Sequence, residues 1–297
     1  MFQRHAVMLN AWNRRFILDL LGARLRYFKS EVLSNDIDMN HGKLPISAVL
    51  IAHHERDNIR RCLSSLHSWV SEIIVLGQDP YDATLQIAQD EFQAKVSVEP
   101  WKGFRDQKAS ACMKASQEWI FSIDADEEVN PELRDEIRHF LSNGSPRYAG
   151  AYVPRKMFFM NRWIRHGDWY PDKVLRLFKK SAHHWEGGSL HERVVIDGEV
   201  ATFNSDLLHY SFPDTHFLHN KMQRYAIALG TDPERRKNHP QMLEIALRGV
   251  WRFFRCYILK RGFLDGFPGF YLAVVQMYST LYRYAALRDE ILKSTKS

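Results

Sequence analysis

Short apolar runs of strand length alternate with helical patterns between residues 46 and 123. The runs are ISAVLIA (46–52), EIIVL (72–76), KVSVE (95–99) and WIFSI (119–123), and helical stretches lie between them at 55–69, 82–92 and 104–116. This alternation predicts βαβ units and therefore an α/β fold with a mostly parallel central sheet. Because such sheets bind ligands beyond the carboxyl ends of their strands, the residues that follow each run are the first candidates for a functional site.

The composition of the 297 residues is that of a globular protein with a modest excess of positive charge. Hydrophobic residues make up 45% and charged residues 26%, which excludes wholesale disorder. The formal net charge is +6 and the pI is about 9.1. A surplus of this size is compatible with a nucleic acid, an anionic membrane or a phosphorylated substrate, and it does not choose between them.

The cysteines and the hydropathy pattern indicate a cytoplasmic protein. Cys62, Cys112 and Cys256 are odd in number and have no C-x-x-C spacing, which argues against a disulfide framework and a structural zinc site. No window reaches the roughly 18 apolar residues that a membrane span needs. Arg14 and Arg15 interrupt the only apolar stretch near the start, so the sequence predicts no signal peptide.

The chain divides into three parts by its patterning. We expect a basic amphipathic extension and linker at 1–45, a catalytic domain at 46–214 and a helical region at 215–297. In the extension, Leu9, Trp12 and Phe16 recur at helical spacing. That helix either lies at a membrane interface or packs on the main domain, and the sequence leaves both alternatives open.

The acidic turn IFSIDADEEV (120–129) is the strongest candidate for a functional site. Asp124 and Asp126 directly follow the fourth apolar run, and they are not first-turn acids of the next helix, which Asn130 is expected to cap. A D-x-D at a strand end suits Mg²⁺ or Mn²⁺, because such cations take a few carboxylates together with substrate phosphates. The chain has neither G-x-G-x-x-G nor G-x-x-x-x-G-K-[ST], so dehydrogenase and P-loop hypotheses lose their main support.

Several further segments give the chain a family resemblance. They are ISAVLIAHHERDNIRRCLSSL (46–66), DAT (82–84), WKGFRDQKASA (101–111), FSIDADEEVNPEL (121–133), RHGDWYPDKVLRLF (165–178), LHERV (190–194), LLHYS (207–211) and RGFLDGFPGF (261–270). With these motifs the sequence resembles the family 2 glycosyltransferases of the GT-A fold, and among them the bacterial lipopolysaccharide-core β-1,4-glucosyltransferases. The resemblance covers about 46–290 and leaves the first 45 residues outside.

The resemblance implies a nucleotide-sugar site along the ends of the parallel strands. The positions that it assigns to the donor are Glu55, Asp82, Lys108, Asp124 and Arg176. Asp124 and Asp126 match the pair that contacts the ribose and the diphosphate-bound cation, and His209 is a candidate third cation ligand. One departure concerns the base, because Gly77 stands where the family has an aspartate that contacts uracil.

An inverting transfer also needs a group that takes the proton of the acceptor hydroxyl. The candidates are Glu192, His191, Asp168 and Asp172. Glu192 is the first choice because it follows a Gly-Gly loop at 187–188 that is able to move over the donor. Arginines and lysines that would clamp a diphosphate or an acceptor phosphate are Arg165, Arg176, Lys221 and Arg224.

By resemblance, we expect transfer of a hexose, glucose from UDP-glucose, to a heptose of the lipopolysaccharide inner core. The acceptor would be a lipid-linked saccharide, and the enzyme would be cytoplasmic and peripheral to the inner membrane. The aromatic and basic stretch 248–270 suits the surface of an anionic bilayer, although its aromatic residues would equally serve to pack on the catalytic domain.

Two alternatives stay open at the level of sequence. The first is a transferase of the same fold with another nucleotide sugar, or with a capsule or exopolysaccharide acceptor. The second is a non-catalytic basic protein that binds a membrane or a nucleic acid. No zinc-finger or RNP-type pattern supports nucleic acid, so we expect no nucleic-acid partner.

Overall fold

A computed structural model describes residues 42–143, 147–186, 193–230 and 241–294. Lys43–Ser297 forms one compact unit. The helix expected in the first 30 residues lies outside the described residues, and so do the candidate residues His191 and Glu192. The predicted domain boundaries at 45 and 214 stay predictions.

The first part of the sheet is built from the predicted βα alternation. The strands are β1 (Leu44–Ile51), β2 (Val70–Gly77), β3 (Lys95–Val98) and β4 (Trp119–Ser122), with helices α1 (Arg56–Ser64), α2 (Ala83–Phe92) and α3 (Phe104–Met113) between them. These four strands run parallel in the order β3-β2-β1-β4. The predicted α/β class with a mostly parallel central sheet is confirmed.

Residues 127–209 extend the sheet with antiparallel as well as parallel pairs. The elements of this stretch are β5 (Glu127–Val129), α4 (Pro131–Ser142), β6 (Tyr148–Phe159), β7 (Arg162–Trp163), β8 (Asp172–Lys179), β9 (His183–Glu186), β10 (Arg193–Ile196), β11 (Glu199–Thr202) and β12 (Leu207–His209). Strands β9 and β10 form a separate two-stranded antiparallel sheet. The sheet continues from β4 in the order β8-β6-β12-β5, and β8 is antiparallel to both of its neighbours. This order brings residues that are far apart in the chain beside the end of β4.

Burial on both faces explains why the first strands are continuously apolar. Alternate residues of β1 face opposite sides, so Leu50 packs in one core with Leu63 and Phe121, while Val49 packs in another with Leu76. Asn130 caps α4 as expected, because its Oδ1 accepts a hydrogen bond of 2.8 Å from the backbone N–H of Leu133.

The C-terminal helices pack on the sheet within the same compact unit. They are α5 (Thr215–Gly230), α6 (Met242–Phe254) and α7 (Gly266–Ser294), and two irregular turns, Arg255–Leu259 and Gly262–Asp265, join α6 to α7. A third cluster of buried side chains, including Phe159, Leu218 and Leu272, joins β6 to these helices. Among the described helices, none combines the length and the apolar character that crossing a bilayer requires.

Candidate active site

The acidic turn after β4 is held in place by its own backbone and by β12. The N–H of Ile123 donates to the carbonyl of Val49 in β1, and the N–H of Glu127 donates to the carbonyl of Asp124. The N–H of Tyr210, just after β12, donates to the carbonyl of Asp126 at 2.9 Å. The turn therefore lies at the carboxyl ends of the parallel strands, where α/β sheets bind ligands.

Asp124 lies between two cations that the sequence analysis assigned to the donor site. Lys108 Nζ is 3.1 Å from Asp124 Oδ1, and Arg176 donates a hydrogen bond to Oδ2. Burial alone raises the pKa of the Asp124 carboxyl, but Arg176, Lys108 and Arg155 outweigh it and hold that pKa well below its usual value. Asp124 is therefore a permanent carboxylate with both oxygens engaged.

Asp126 faces a different partner. His209 Nε2 is 3.3 Å from Asp126 Oδ2, because β12 pairs with β5 in a register that sets His209 opposite Glu127. Burial raises the pKa of Asp126, and the hydrogen bond and charge of His209 more than compensate, so the pKa is lowered. The structure thus joins two of the three residues that were expected to bind a cation.

Glu127 and Arg155 complete the cluster, and neither was among the predicted site residues. Glu127 is fully buried; its Oε2 accepts the N–H of Asp124 at 2.9 Å, and its Oε1 accepts from Arg176. Arg155 lies 3.3 Å from the same Oε1 and donates through Nε and a terminal nitrogen to Asp172. A buried carboxylate of this kind persists only when it is paired, and here two guanidinium groups pair with it.

A cavity of about 1180 Å³ opens over this cluster. Its floor is formed by the ends of β1, β2 and β4, and its far side by residues of β8, β12 and α5. Predicted site residues that line it are Glu55, Lys108, Asp124, Asp126, Asp172, Arg176, His209, Lys221 and Arg224. The volume is somewhat above the range of about 300–1,000 Å³ that is usual for small-molecule sites, so it has room for a nucleotide sugar.

Glu55 stands at the cavity edge, where α1 begins. Its N–H donates to Thr84 Oγ1 at 2.9 Å, and its carboxylate accepts from Asn58. Burial, reinforced by the negative charges of Asp126, Asp124 and Asp82, raises the pKa of Glu55. The side chain is therefore easier to protonate than an exposed glutamate.

Asp82 lies beneath the cavity and does not line it. It is buried, caps α2 by accepting the N–H of Thr84 at 2.8 Å, and accepts the N–H of His54 at 2.7 Å. Burial raises the pKa of Asp82, and these two hydrogen bonds outweigh it and lower the pKa. The geometry makes Asp82 a residue that positions the loop 53–55 beside the cavity.

Gly77, the last residue of β2, lines the cavity, and a side chain there would collide with its neighbour. A Cβ at this position would lie 2.6 Å from Leu85 Cδ1, and Leu85 is buried in α2. Asp79 does not line the cavity; its Oδ1 accepts the N–H of Tyr81. The side chain beside Gly77 that does line the cavity is that of Gln78, whose amide offers both a donor and an acceptor.

The described candidates for the proton acceptor are both held by arginines. Asp172 lines the cavity but accepts two hydrogen bonds from Arg155. Asp168 is not among the cavity-lining residues, because it turns towards Arg252 at 3.4 Å and Arg255 at 3.2 Å. Arg165 also lies away from the cavity lining, with its N–H on Asp265. The roles of Glu192 and His191 stay predictions.

The fit of a divalent cation differs between the two aspartates. Asp126 and His209 present a carboxylate oxygen and a ring nitrogen to the same space, and both are ligands that Mn²⁺ accepts. Asp124 offers no oxygen free of a lysine or arginine partner, which suits a hydrogen-bonding role better than metal ligation. His53, His54 and Asp82 also bring their ligand atoms within 4.8 Å of one another, at the edge of the same cavity.

The model of the family described as glycosyl transferase family 2 matches residues 47–194. An uncharacterized glycosyltransferase of Rickettsia bellii (strain RML369-C) is 31% identical over 260 residues, which span 82% of this chain and 86% of the relative. The lipopolysaccharide core biosynthesis glycosyltransferase LpsC of Rhizobium meliloti (strain 1021) is 26% identical over 236 residues, spanning 77% of this chain and 86% of LpsC.

Solved structures show a remote likeness. TarS 1–349 of S. aureus in complex with UDP-GlcNAc has a TM-score of 0.44 at 13% identity, over 82% of this chain and 84% of that one. Glucosyl-3-phosphoglycerate synthase of Mycobacterium tuberculosis, in complex with Mn²⁺ and UDP, has a TM-score of 0.30 at 22% identity, over 38% of this chain and 43% of that one. A likeness this remote says nothing about the donor or acceptor of this chain.

Proposed function

We propose that this chain, which belongs to glycosyl transferase family 2, moves a hexose from a nucleotide sugar to a lipid-linked saccharide. It is a glycosyltransferase with a GT-A fold, and the hypothesis of a non-catalytic binding protein is set aside. The observation that carries the proposal is the turn at Asp124 and Asp126, which faces a large cavity at the ends of the parallel strands.

The donor proposed is UDP-glucose, and the acceptor a heptose of the lipopolysaccharide inner core. Similarity to LpsC, whose name places it in lipopolysaccharide core biosynthesis, supports this class of acceptor. Such an acceptor is made on a lipid anchor, so we place the enzyme in the cytoplasm at the surface of the inner membrane. Asp124, Lys108 and Glu55 are proposed to bind the donor.

The proposed reaction is a single displacement that inverts the anomeric carbon. An acceptor hydroxyl oxygen bonds to that carbon while the bond to the diphosphate oxygen breaks, and the departing diphosphate keeps the electron pair. The hydroxyl proton passes to Glu192, with His191 as the second candidate. Lys221, which lines the cavity near Asp126, is proposed to attract the diphosphate.

A divalent cation is part of this proposal. Asp126 and His209 would hold Mg²⁺ or Mn²⁺, with further ligands from the donor diphosphate. When bound, the cation would neutralise negative charge on the leaving group. Asp124 remains engaged with Lys108 and Arg176, and its proposed task is to orient the ribose and to fix the turn.

The proposal is tested with a panel of nucleotide sugars, each added with and without Mn²⁺ or Mg²⁺. At about 100 times its Kd, a bound donor stabilises the folded protein by about 2.7 kcal/mol, which is a measurable rise in Tm. We expect UDP-glucose to raise the Tm only when the cation is present, and to be hydrolysed slowly without acceptor. No response to any nucleotide sugar would contradict the proposal.

A second candidate has the same chemistry with another donor, or with a capsule or exopolysaccharide acceptor. Gly77 favours it, because the position lacks the carboxylate expected for uracil and Leu85 occupies the space. The same panel separates the two candidates. A larger shift with a nucleotide sugar of another base would support the second.

A further inference from the structure

An apolar stripe runs along the outside of α6 into the turn that follows it. Leu243, Leu247, Val250, Phe254 and Ile258 recur at steps of three and four, so they share one face of the helix. The stripe of a helix in a globular protein normally faces the core. Here all five side chains are exposed, between 42 and 68%.

The opposite side of α6 is the one that packs inward. Gly249 is buried against α7, where a Cβ would lie 2.8 Å from Leu281. Just beyond the helix, an apolar tip of Leu259, Phe263, Leu264 and Phe267 is exposed as well. An exposed apolar surface of this extent marks an interaction site.

The charges around the stripe and tip are mostly positive. From 243 to 270 the chain has five basic residues and two acids: Glu244, which pairs with Arg248, and Asp265, which is buried at 2% exposure. Asp265 accepts the N–H groups of Arg165 and His166. Lys260 and Arg261 are exposed, and no carboxylate of the described residues pairs with either. The surface therefore combines exposed apolar side chains with the positive charge of Lys260 and Arg261.

Three candidate partners for the stripe and tip are a second copy of this chain, residues 1–30 and an anionic bilayer, and the charge pattern favours one of them. A two-fold dimer through this face would bring Lys260 and Arg261 close to their own copies, which is repulsive. Residues 1–30 carry six basic residues and one acidic residue, so they share the sign of the surface. An anionic bilayer supplies both the apolar layer and the opposite charge.

A hydrogen bond and two ion pairs connect the segment that contains the stripe and tip to one wall of the cavity. The carbonyl of Lys260 accepts the N–H of Gly167 at 2.8 Å, and Arg252 and Arg255 pair with Asp168. Trp169, the next residue, lines the cavity. A bilayer that contacts the stripe and tip would thus lie beside the wall that contains Trp169.

We infer that the apolar stripe and tip, with Lys260 and Arg261, seat this enzyme on an anionic bilayer beside the wall of the cavity that contains Trp169. The inference rests on the proposed function for the lipid-linked acceptor, since it explains how such an acceptor reaches the site. It names a surface that the sequence pattern alone did not distinguish from a packed helix.

The test is co-sedimentation of the full-length protein with vesicles of phosphatidylcholine, with and without 30% phosphatidylglycerol. Two double variants are compared with wild type: Leu247→Glu with Ile258→Glu, and Lys260→Glu with Arg261→Glu. Matched controls on other surfaces are Met113→Glu, an exposed apolar residue, and Arg134→Glu, in α4. Thermal unfolding verifies that each variant is folded.

We expect wild type to bind the anionic vesicles, with affinity falling as salt rises, and each double variant to bind about 10-fold to 30-fold more weakly. The controls should bind like wild type. Equal binding by all variants would overturn the inference. The inference would also be overturned if wild type were a dimer that Leu247→Glu with Ile258→Glu makes monomeric while vesicle binding stays unchanged. A third double variant, Arg14→Glu with Arg15→Glu, tests residues 1–30, and loss of vesicle binding in that variant alone would overturn the inference as well.

The vesicles contain neither sugar donor nor acceptor. Failure of the docking inference would therefore leave the proposed reaction untouched, and failure of the nucleotide-sugar panel would leave the docking result standing.

Discussion

Asp124 shows how one side chain acquires a fixed charge in a half-buried place. Burial raises the pKa of its carboxyl, yet Lys108, Arg155 and Arg176 surround it and more than reverse that rise, and its own N–H is held by Glu127. The three cations come from three different elements, α3, β6 and β8, and Glu127 comes from β5. The sequence predicted Lys108 and Arg176 through the resemblance, whereas Arg155 and Glu127 join the site only through pairings of the folded chain.

The first prediction at this scale concerns Gly77. Replacing it by aspartate should destabilise the protein by about 1–3 kcal/mol, because the new Cβ meets Leu85 in a packed core. The double variant Gly77→Asp with Leu85→Ala should lose less free energy of unfolding than the two single variants lose together. Urea unfolding of the four proteins in this cycle measures the coupling. Strict additivity would contradict the collision.

The second prediction separates the carboxylates proposed as proton acceptor from those held in ion pairs. Glu192→Gln should lower the transfer rate by about 10²-fold to 10⁴-fold while the Kd for the donor stays unchanged. Asp168→Asn should leave the transfer rate within about threefold of wild type, because Asp168 faces Arg252 and Arg255 outside the cavity lining. Single-turnover rates and donor titrations measure both. A large rate loss confined to Asp168→Asn would reverse the assignment.

At the scale of elements, the parallel half of the sheet was predictable and the antiparallel half was only partly so. Strands β1 to β4 and their helices follow from local periodicity, and Asn130 marked the start of α4. Strands β5 and β12 are three residues each, too short to give a periodic signal, and they pair across some 80 residues of chain. His209 reaches Asp126 only through that pairing. An arginine within the apolar run of β6 was the available signal for Arg155.

A buried glutamate connects several elements of the parallel half. Glu72 in β2 accepts hydrogen bonds from Lys95 at the start of β3, from Ser47 in β1 and from the N–H and hydroxyl of Ser116. Burial alone would raise the pKa of Glu72, but these hydrogen bonds outweigh it and lower the pKa to about 2. The glutamate therefore stabilises the fold as a carboxylate.

The third prediction follows from the sign of that shift. The folded pKa lies below the unfolded one, so the stabilisation is full above about pH 4.5 and disappears as the pH falls to about 2. Glu72→Gln should cost about 2–3 kcal/mol at pH 7 and much less near pH 2.5. Urea unfolding at both pH values measures this, with Asp90→Asn, a change of an exposed aspartate of α2, as the unaffected control. A cost that does not change with pH would contradict the role given to the carboxylate.

At the scale of the whole molecule, the C-terminal helices contribute to the site as well as to the surface. Lys221 and Arg224 of α5 enter the cavity, while Asp265 and the carbonyl of Lys260 hold the segment 165–168 beside it. The sequence pattern predicted a helical C-terminal region, but it did not say which face of α6 packs inward. That depends on Gly249, whose missing side chain admits α7.

The central claim is that the Asp126 end of the acidic turn carries donor chemistry that depends on a cation. The most direct measurement is the turnover of UDP-glucose with and without Mn²⁺ by wild type, Asp126→Ala and the control Asp90→Asn, which changes an exposed aspartate of α2. We predict that Asp126→Ala loses at least about 10²-fold of the Mn²⁺-dependent turnover while remaining folded, and that Asp90→Asn matches wild type. Full Mn²⁺-dependent turnover by a folded Asp126→Ala would contradict the claim.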